Sequence, residues 1–83
     1  MSNELSIRLF ATLKDRAGMP HVIIELEKPT EVHVFLGQLA EKYPQLATTL
    51  PSALVAVNRT YADPTTLIHP GDEVALFPPV SGG

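Results

Sequence analysis

The 83-residue sequence contains no cysteine. That excludes a disulfide framework, a cysteine-based zinc site and a thiol nucleophile. A reducing intracellular compartment permits such a composition, and a cytoplasmic location is expected. No apolar run approaches the roughly 20 residues that span a bilayer, so no membrane role is expected. Met1-Ser2-Asn3-Glu4 lacks a basic start followed by an apolar run, so no signal peptide is expected. Basic residues are also few. Six Lys and Arg stand against nine Asp and Glu, for a net charge of −3, and the basic residues form no stripe. Nucleic acid is therefore not expected as a main partner.

What is present fits one small folded domain. The chain is 45% hydrophobic and 18% charged, neither disordered nor membrane-embedded in composition. A domain of this length buries only a limited core. Leu5, Ile7 and Leu9 alternate with Ser6, Arg8 and Phe10, which predicts a strand with one buried face. Ala11 to Ala17, ending at Gly18, reads as a turn or one helical turn. Val22, Ile24 and Leu26 alternate with His21, Ile23 and Glu25 in a second strand, pairing with the first as an antiparallel hairpin. Thr30 reads as a helix N-cap with Glu31 in the first turn. Val32, Phe35, Leu36, Leu39 and Tyr43 then form one apolar stripe at helical spacing. Gly37 weakens that helix and Pro44 ends it.

Leu54 to Val57 predicts a third strand, turning at Asn58-Arg59-Thr60 into a short return around Tyr61 and Ala62. Asp63-Pro64 and Pro70-Gly71-Asp72 predict further turns, and Glu73 to Phe77 the last strand. One main helix can cover one face of one sheet. The expected architecture is a two-layer α+β roll with a mixed sheet of four to five strands. Its first and last strands would run parallel in the middle.

No conventional active site appears in the side chains. Ser2, Ser6, Ser52 and Ser81 are not in nucleophile-elbow settings. His21, His33 and His69 show no metal-ligand spacing, and no metal is expected. Asp72-Glu73 follows Pro-Gly and reads as turn chemistry. Asn58-Arg59-Thr60 matches a glycosylation sequon, but a turn is the better reading without a signal peptide.

The C-terminal residues are different. Gly82 and Gly83 have no side chains and no steric restriction on φ, so they could thread a channel that excludes a Cβ. They would also leave a terminal carboxylate unhindered for attack on an ATP α-phosphate. Pro78-Pro79 stiffens the chain and removes two N–H donors, which stops the last strand. Residues 1–77 are thus read as the domain and residues 78–83 as a flexible tail. On these residues alone, a frayed Gly-rich terminus stays open as an alternative.

Val55-Ala56-Val57-Asn58-Arg59-Thr60 and the run from Pro70 through Gly83 resemble the MoaD/ThiS family of ubiquitin-like sulfur carriers. Leu9-Phe10-Ala11 resembles that family's first strand. The Gly71-Asp72-Glu73-Val74 segment, followed by Phe77-Pro78-Pro79-Val80-Ser81-Gly82-Gly83, resembles the family's molybdopterin synthase branch. The resemblance implies a ubiquitin-like β-grasp. It implies that an ATP-dependent adenylyltransferase activates Gly83 and that sulfur transfer from a donor protein converts the adenylate to a thiocarboxylate. Pro78, Pro79, Val80, Ser81 and Gly82 would then insert into the large subunit of molybdopterin synthase, in a heterotetramer of two small and two large subunits. There the sulfur would pass to a cyclic pterin precursor. No stably bound cofactor and no acid or base residue in this chain are implied. The lack of cysteine agrees, because no side-chain persulfide can form.

Strand alternation adds an interface expectation. Phe10 and Phe77 face away from the core near the same end of the first and last strands, and Tyr61 can join them as a docking patch for partners. The alternative is a small satellite core formed by the same rings. Other readings keep the chemistry and change the acceptor, to thiazole, cysteine or tRNA thiolation. Two more make the chain a ubiquitin-like modifier attached through Gly83, or an interaction domain with an inert tail.

Overall fold

The computed structural model describes residues 3–79. Strand β1 spans Glu4–Leu9, helix α1 Ala11–Ala17 and β2 His21–Glu25. A two-residue β3, Thr30–Glu31, precedes helix α2, Val32–Lys42. Two 3-10 turns follow, at Pro44–Leu46 and Leu50–Ser52. The strands β4 (Leu54–Val57), β5 (Thr60–Tyr61), β6 (Leu67–Ile68) and β7 (Val74–Phe77) complete the described chain.

Five strands form one mixed sheet in the order β2-β1-β7-β4-β5, and β3 pairs with β6 in a separate two-stranded piece. The centre of the main sheet is the parallel β1–β7 pair, with Ile7 opposite Val74 and Leu9 opposite Leu76. β1 pairs antiparallel with β2, and β7 antiparallel with β4. The alternation in β1 is realised residue by residue: Leu5, Ile7 and Leu9 are buried, while Glu4, Ser6 and Arg8 are exposed. Their buried faces join Phe35 and Leu39 of α2, Leu13 of α1, and Leu46 and Leu50 of the 3-10 turns in one core. That is the expected α+β roll with parallel central strands.

Four local expectations are corrected. Thr30 is not the helix N-cap. It lies in β3 opposite Ile68, its hydroxyl donates to the Lys28 carbonyl, and α2 starts at Val32. The first N–H groups of α2 are satisfied by backbone instead, from Val32 to the Thr66 carbonyl at 3.0 Å and from His33 to the Pro64 carbonyl at 3.1 Å. A loop carbonyl fills the role expected of a hydroxyl. Ala11 to Ala17 is a seven-residue helix, closed by Gly18 at φ 75, and it contributes Leu13 and Ala17 to the core beside the main helix. Glu73 lies outside the last strand, which starts at Val74. Leu67–Ile68 forms a strand that short-range patterning does not reveal.

The β4–β5 hairpin turns through Asn58 and Arg59, both at positive φ (52° and 70°). It is clamped to the turn before β7. The Asn58 N–H donates to the Glu73 carbonyl at 2.7 Å, and Glu73 N–H returns a bond to Asn58 Oδ1 at 3.0 Å. Asn58 Nδ2 reaches Asp72 Oδ1, while Asp72 Oδ2 accepts the His69 N–H at 2.8 Å. Asp72 is thus turn chemistry, as expected, but it also ties two turns together. Its carboxyl is held below the ordinary aspartate range, chiefly by the His69 N–H and further by Asn58.

A Cβ meets nothing within 4 Å at Gly18 or at Gly37, so backbone alone decides each substitution. Gly18→Ala, at positive φ, should destabilise by about 1 kcal/mol, while Gly37→Ala inside α2 should stabilise by up to about 1 kcal/mol. Opposite shifts of several degrees in the thermal midpoint would confirm this. Asp72, with a lowered folded pKa, adds stability that is present above its unfolded pKa and lost as pH falls through the folded value. Asp72→Asn should flatten the acid limb of stability below pH ~4, measured by urea unfolding across that range. An unchanged acid limb would count against the clamp.

Candidate functional site

The site begins where β7 ends. Leu9 and Leu76 are paired and both point into the core. Their neighbours Phe10 and Phe77 must therefore emerge side by side on the outer face of the sheet. The Phe10 N–H extends the ladder with a 3.2 Å bond to the Leu76 carbonyl. The two rings stack with centroids 4.6 Å apart and planes 12° apart. Tyr61 meets Phe77 edge-on at 6.2 Å and is 70% exposed. The structure thus brings together all three aromatic residues singled out in the sequence. Phe10 and Phe77 are each half-buried against the other, so stacking removes some of their area from water without making a second core.

The chain leaves this cluster directly. Pro78 is half-buried and Pro79 exposed, both beyond the end of β7. Val80, Ser81, Gly82 and Gly83 lie outside the described residues.

Sequence reasoning missed the residues around the aromatic trio. The Arg8 guanidinium carbon sits 5.5 Å from the centroid of Phe10, within cation–π range. Arg59 lies 3.7 Å from Glu73, with both side chains mostly exposed. Ala56 faces outward between the core residues Val55 and Val57, yet is only 8% exposed. The signal available was Arg8 and Phe10, or Ala75 and Phe77, two apart in the sequence; the cross-strand register needed to join them is not local.

Among the described residues, no group of three or more His, Asp or Glu could hold a metal ion. His33 pairs with Glu31 at 2.7 Å and His69 lies 3.7 Å from Asp72 Oδ2, both at the surface. An apolar groove of about 580 Å³ lies on the helix side of the sheet, between α2, the second 3-10 turn and β4. Its only titratable lining groups are His33 and Tyr61, so it lacks a converging set of polar groups. No helix among the described residues is long and apolar enough to cross a membrane.

Known proteins resemble the chain at several levels. It is 39% identical to the molybdopterin synthase sulfur carrier subunit of Dictyostelium discoideum, over the whole of both chains. It is 38% identical to the subunit of the same name from Mycobacterium tuberculosis, over 77% of each. Among solved structures, SAMP1 from Haloferax volcanii superposes with a TM-score of 0.80 at 31% identity, covering 96% of this chain and 99% of that one. A protein–protein complex of subunits 1 and 2 of the molybdopterin-converting factor from Helicobacter pylori matches in fold, with a TM-score of 0.65 at 22% identity and coverage of 96% and 99%. The ThiS family model matches residues 7–83, and with the parallel central pair and flanking helices in place, the chain belongs to the ThiS family.

Proposed function

We propose that the chain is the sulfur carrier of molybdopterin synthesis, loaded as a thiocarboxylate on Gly83. The observation that carries this reading is the placement of the last strand. β7 lies in the middle of the sheet and delivers Pro78 and Pro79 beside the cluster of Phe10, Phe77 and the exposed Tyr61. A terminal glycine presented this way has a fixed root and a narrow, side-chain-free end. The two named sulfur carrier relatives, one of them matched end to end, support molybdopterin as the destination over thiazole, cysteine or tRNA thiolation, and over protein modification.

In this reading the chain contributes no acid, base or metal of its own. ATP is the substrate of a partner adenylyltransferase that activates Gly83, and a donor protein supplies the sulfur. Pro78 to Gly82 then enter the large subunit of molybdopterin synthase, which holds the chemistry of the pterin step. Phe10, Tyr61 and Phe77 form the docking surface that precedes insertion. All these steps belong to the cytoplasm, with two small and two large subunits in the assembled synthase.

Incubation with ATP, the adenylyltransferase and a sulfur donor should raise the intact mass by the difference between a sulfur and an oxygen atom. Deleting Gly83 should abolish that shift while leaving the thermal midpoint unchanged. No mass change with an enzyme that loads a related carrier would overturn the reading, and an isopeptide linked through Gly83 in cell extracts would favour a modifier. Phe77→Asp should weaken binding to the large subunit by about tenfold or more, measured by calorimetry, because it puts a charge in the centre of the patch.

A further inference from the structure

The outer face of the sheet is concave at its centre. Register places Arg8 opposite Ala75, Ala75 opposite Ala56, and Ala56 opposite Tyr61, in one row across β1, β7, β4 and β5. Large side chains thus stand at both ends of the row and alanines in the middle. Phe10 and Phe77 wall the side toward the chain end, and Arg59 and Glu73 the other. The depression holds about 400 Å³.

The two alanines contribute little to the sheet. Alanine is a poor strand residue, and a β-branched side chain on a central strand would pack better against its neighbours. Arg59 is similarly suboptimal. It occupies the second position of a tight hairpin turn at φ 70, where glycine is favoured. Its contact with Glu73 is 3.7 Å between mostly exposed groups, a pair of little value to stability. Arg8 is held against Phe10. The chain carries a net charge of −3, yet two arginines stand against one glutamate around this depression.

We propose that the depression is a socket for one protruding aliphatic side chain of the docking protein, flanked on that protein by carboxylate groups that meet Arg8 and Arg59. The inference rests on the reading that this face docks the synthase large subunit, and it adds the chemistry the partner must present. The apolar floor excludes water around the inserted side chain. The arginines supply charge complementarity at the rim, which steers encounter and fixes orientation.

The test uses the full chain and the purified large subunit of molybdopterin synthase from the same organism, titrated calorimetrically at low and physiological ionic strength. Ala75→Ile fills the socket with a better strand residue. It should not lower the thermal midpoint, yet should weaken binding by about tenfold or more. Arg59→Gly should raise the thermal midpoint, weaken binding and reduce its dependence on salt. A merely structural role for either residue predicts that affinity follows stability, the opposite pattern. Ala75→Ile binding within about twofold of the unsubstituted protein, or Arg59→Gly with full affinity and salt dependence, overturns the socket. If Phe77→Asp disrupts binding while both these variants retain it, the socket fails and the large-subunit reading stands. If the unsubstituted protein does not bind the large subunit, both fail.

Discussion

The parallel pairing of β1 with β7 is the constraint on which the molecule depends. It joins segments nearly the full chain apart, and a parallel pair cannot be closed by a tight turn. Everything between must serve as crossover. The hairpin partner β2, the two helices and the β4–β5 hairpin are arranged to cover the inner face of this pair or flank its edges. Ile7, Leu9, Val74 and Leu76 are almost completely buried because they sit at the middle of both layers. The same pairing fixes the outer face, since a residue following an inward leucine must point outward. Core and outer face are therefore two sides of one register, and a slip of one residue would exchange them.

Much of this was legible in the sequence because period and parity are local. The alternation of Leu5, Ile7 and Leu9, the helical stripe from Val32 to Tyr43, and the inward or outward sense of Phe10 and Phe77 need only the residues themselves. What escaped was carried by backbone. The first turn of α2 is capped by the Pro64 and Thr66 carbonyls, groups that every residue possesses and no pattern announces. Thr30 had the right side chain for a cap but was drawn into β3 by its pairing with Ile68. The site divides the same way. The aromatic residues stand out by type, whereas Ala56 and Ala75 become meaningful only when register sets them side by side between Arg8 and Tyr61.

The described surface offers no catalytic cluster, and the proposed chemistry does not ask for one. A carrier needs a reactive group that is presented, protected from its own side chains and recognised by more than one partner. In the proposed carrier, the proline pair after β7 presents that group and the outer face of the sheet is what partners recognise. The Asn58–Asp72 clamp adds cross-links beside that face. It ties the turn carrying Arg59, just before Tyr61, to the turn that launches β7.

A face proposed for docking must stay soluble when free and still present apolar area when bound. Stacking resolves part of that conflict: Phe10 and Phe77 shield each other's faces and leave their edges exposed, and Arg8 over Phe10 keeps a charge beside the apolar area. The remaining cost is seen in residues that a stability-driven sheet would not choose. Two alanines stand where β-branched residues would pack better, and an arginine stands at φ 70 where glycine would relax the turn. These departures fall on one face and around one depression. Marginal stability tolerates a few such costs, and their concentration around one depression is the pattern expected of a surface shaped for a partner, as proposed for this face.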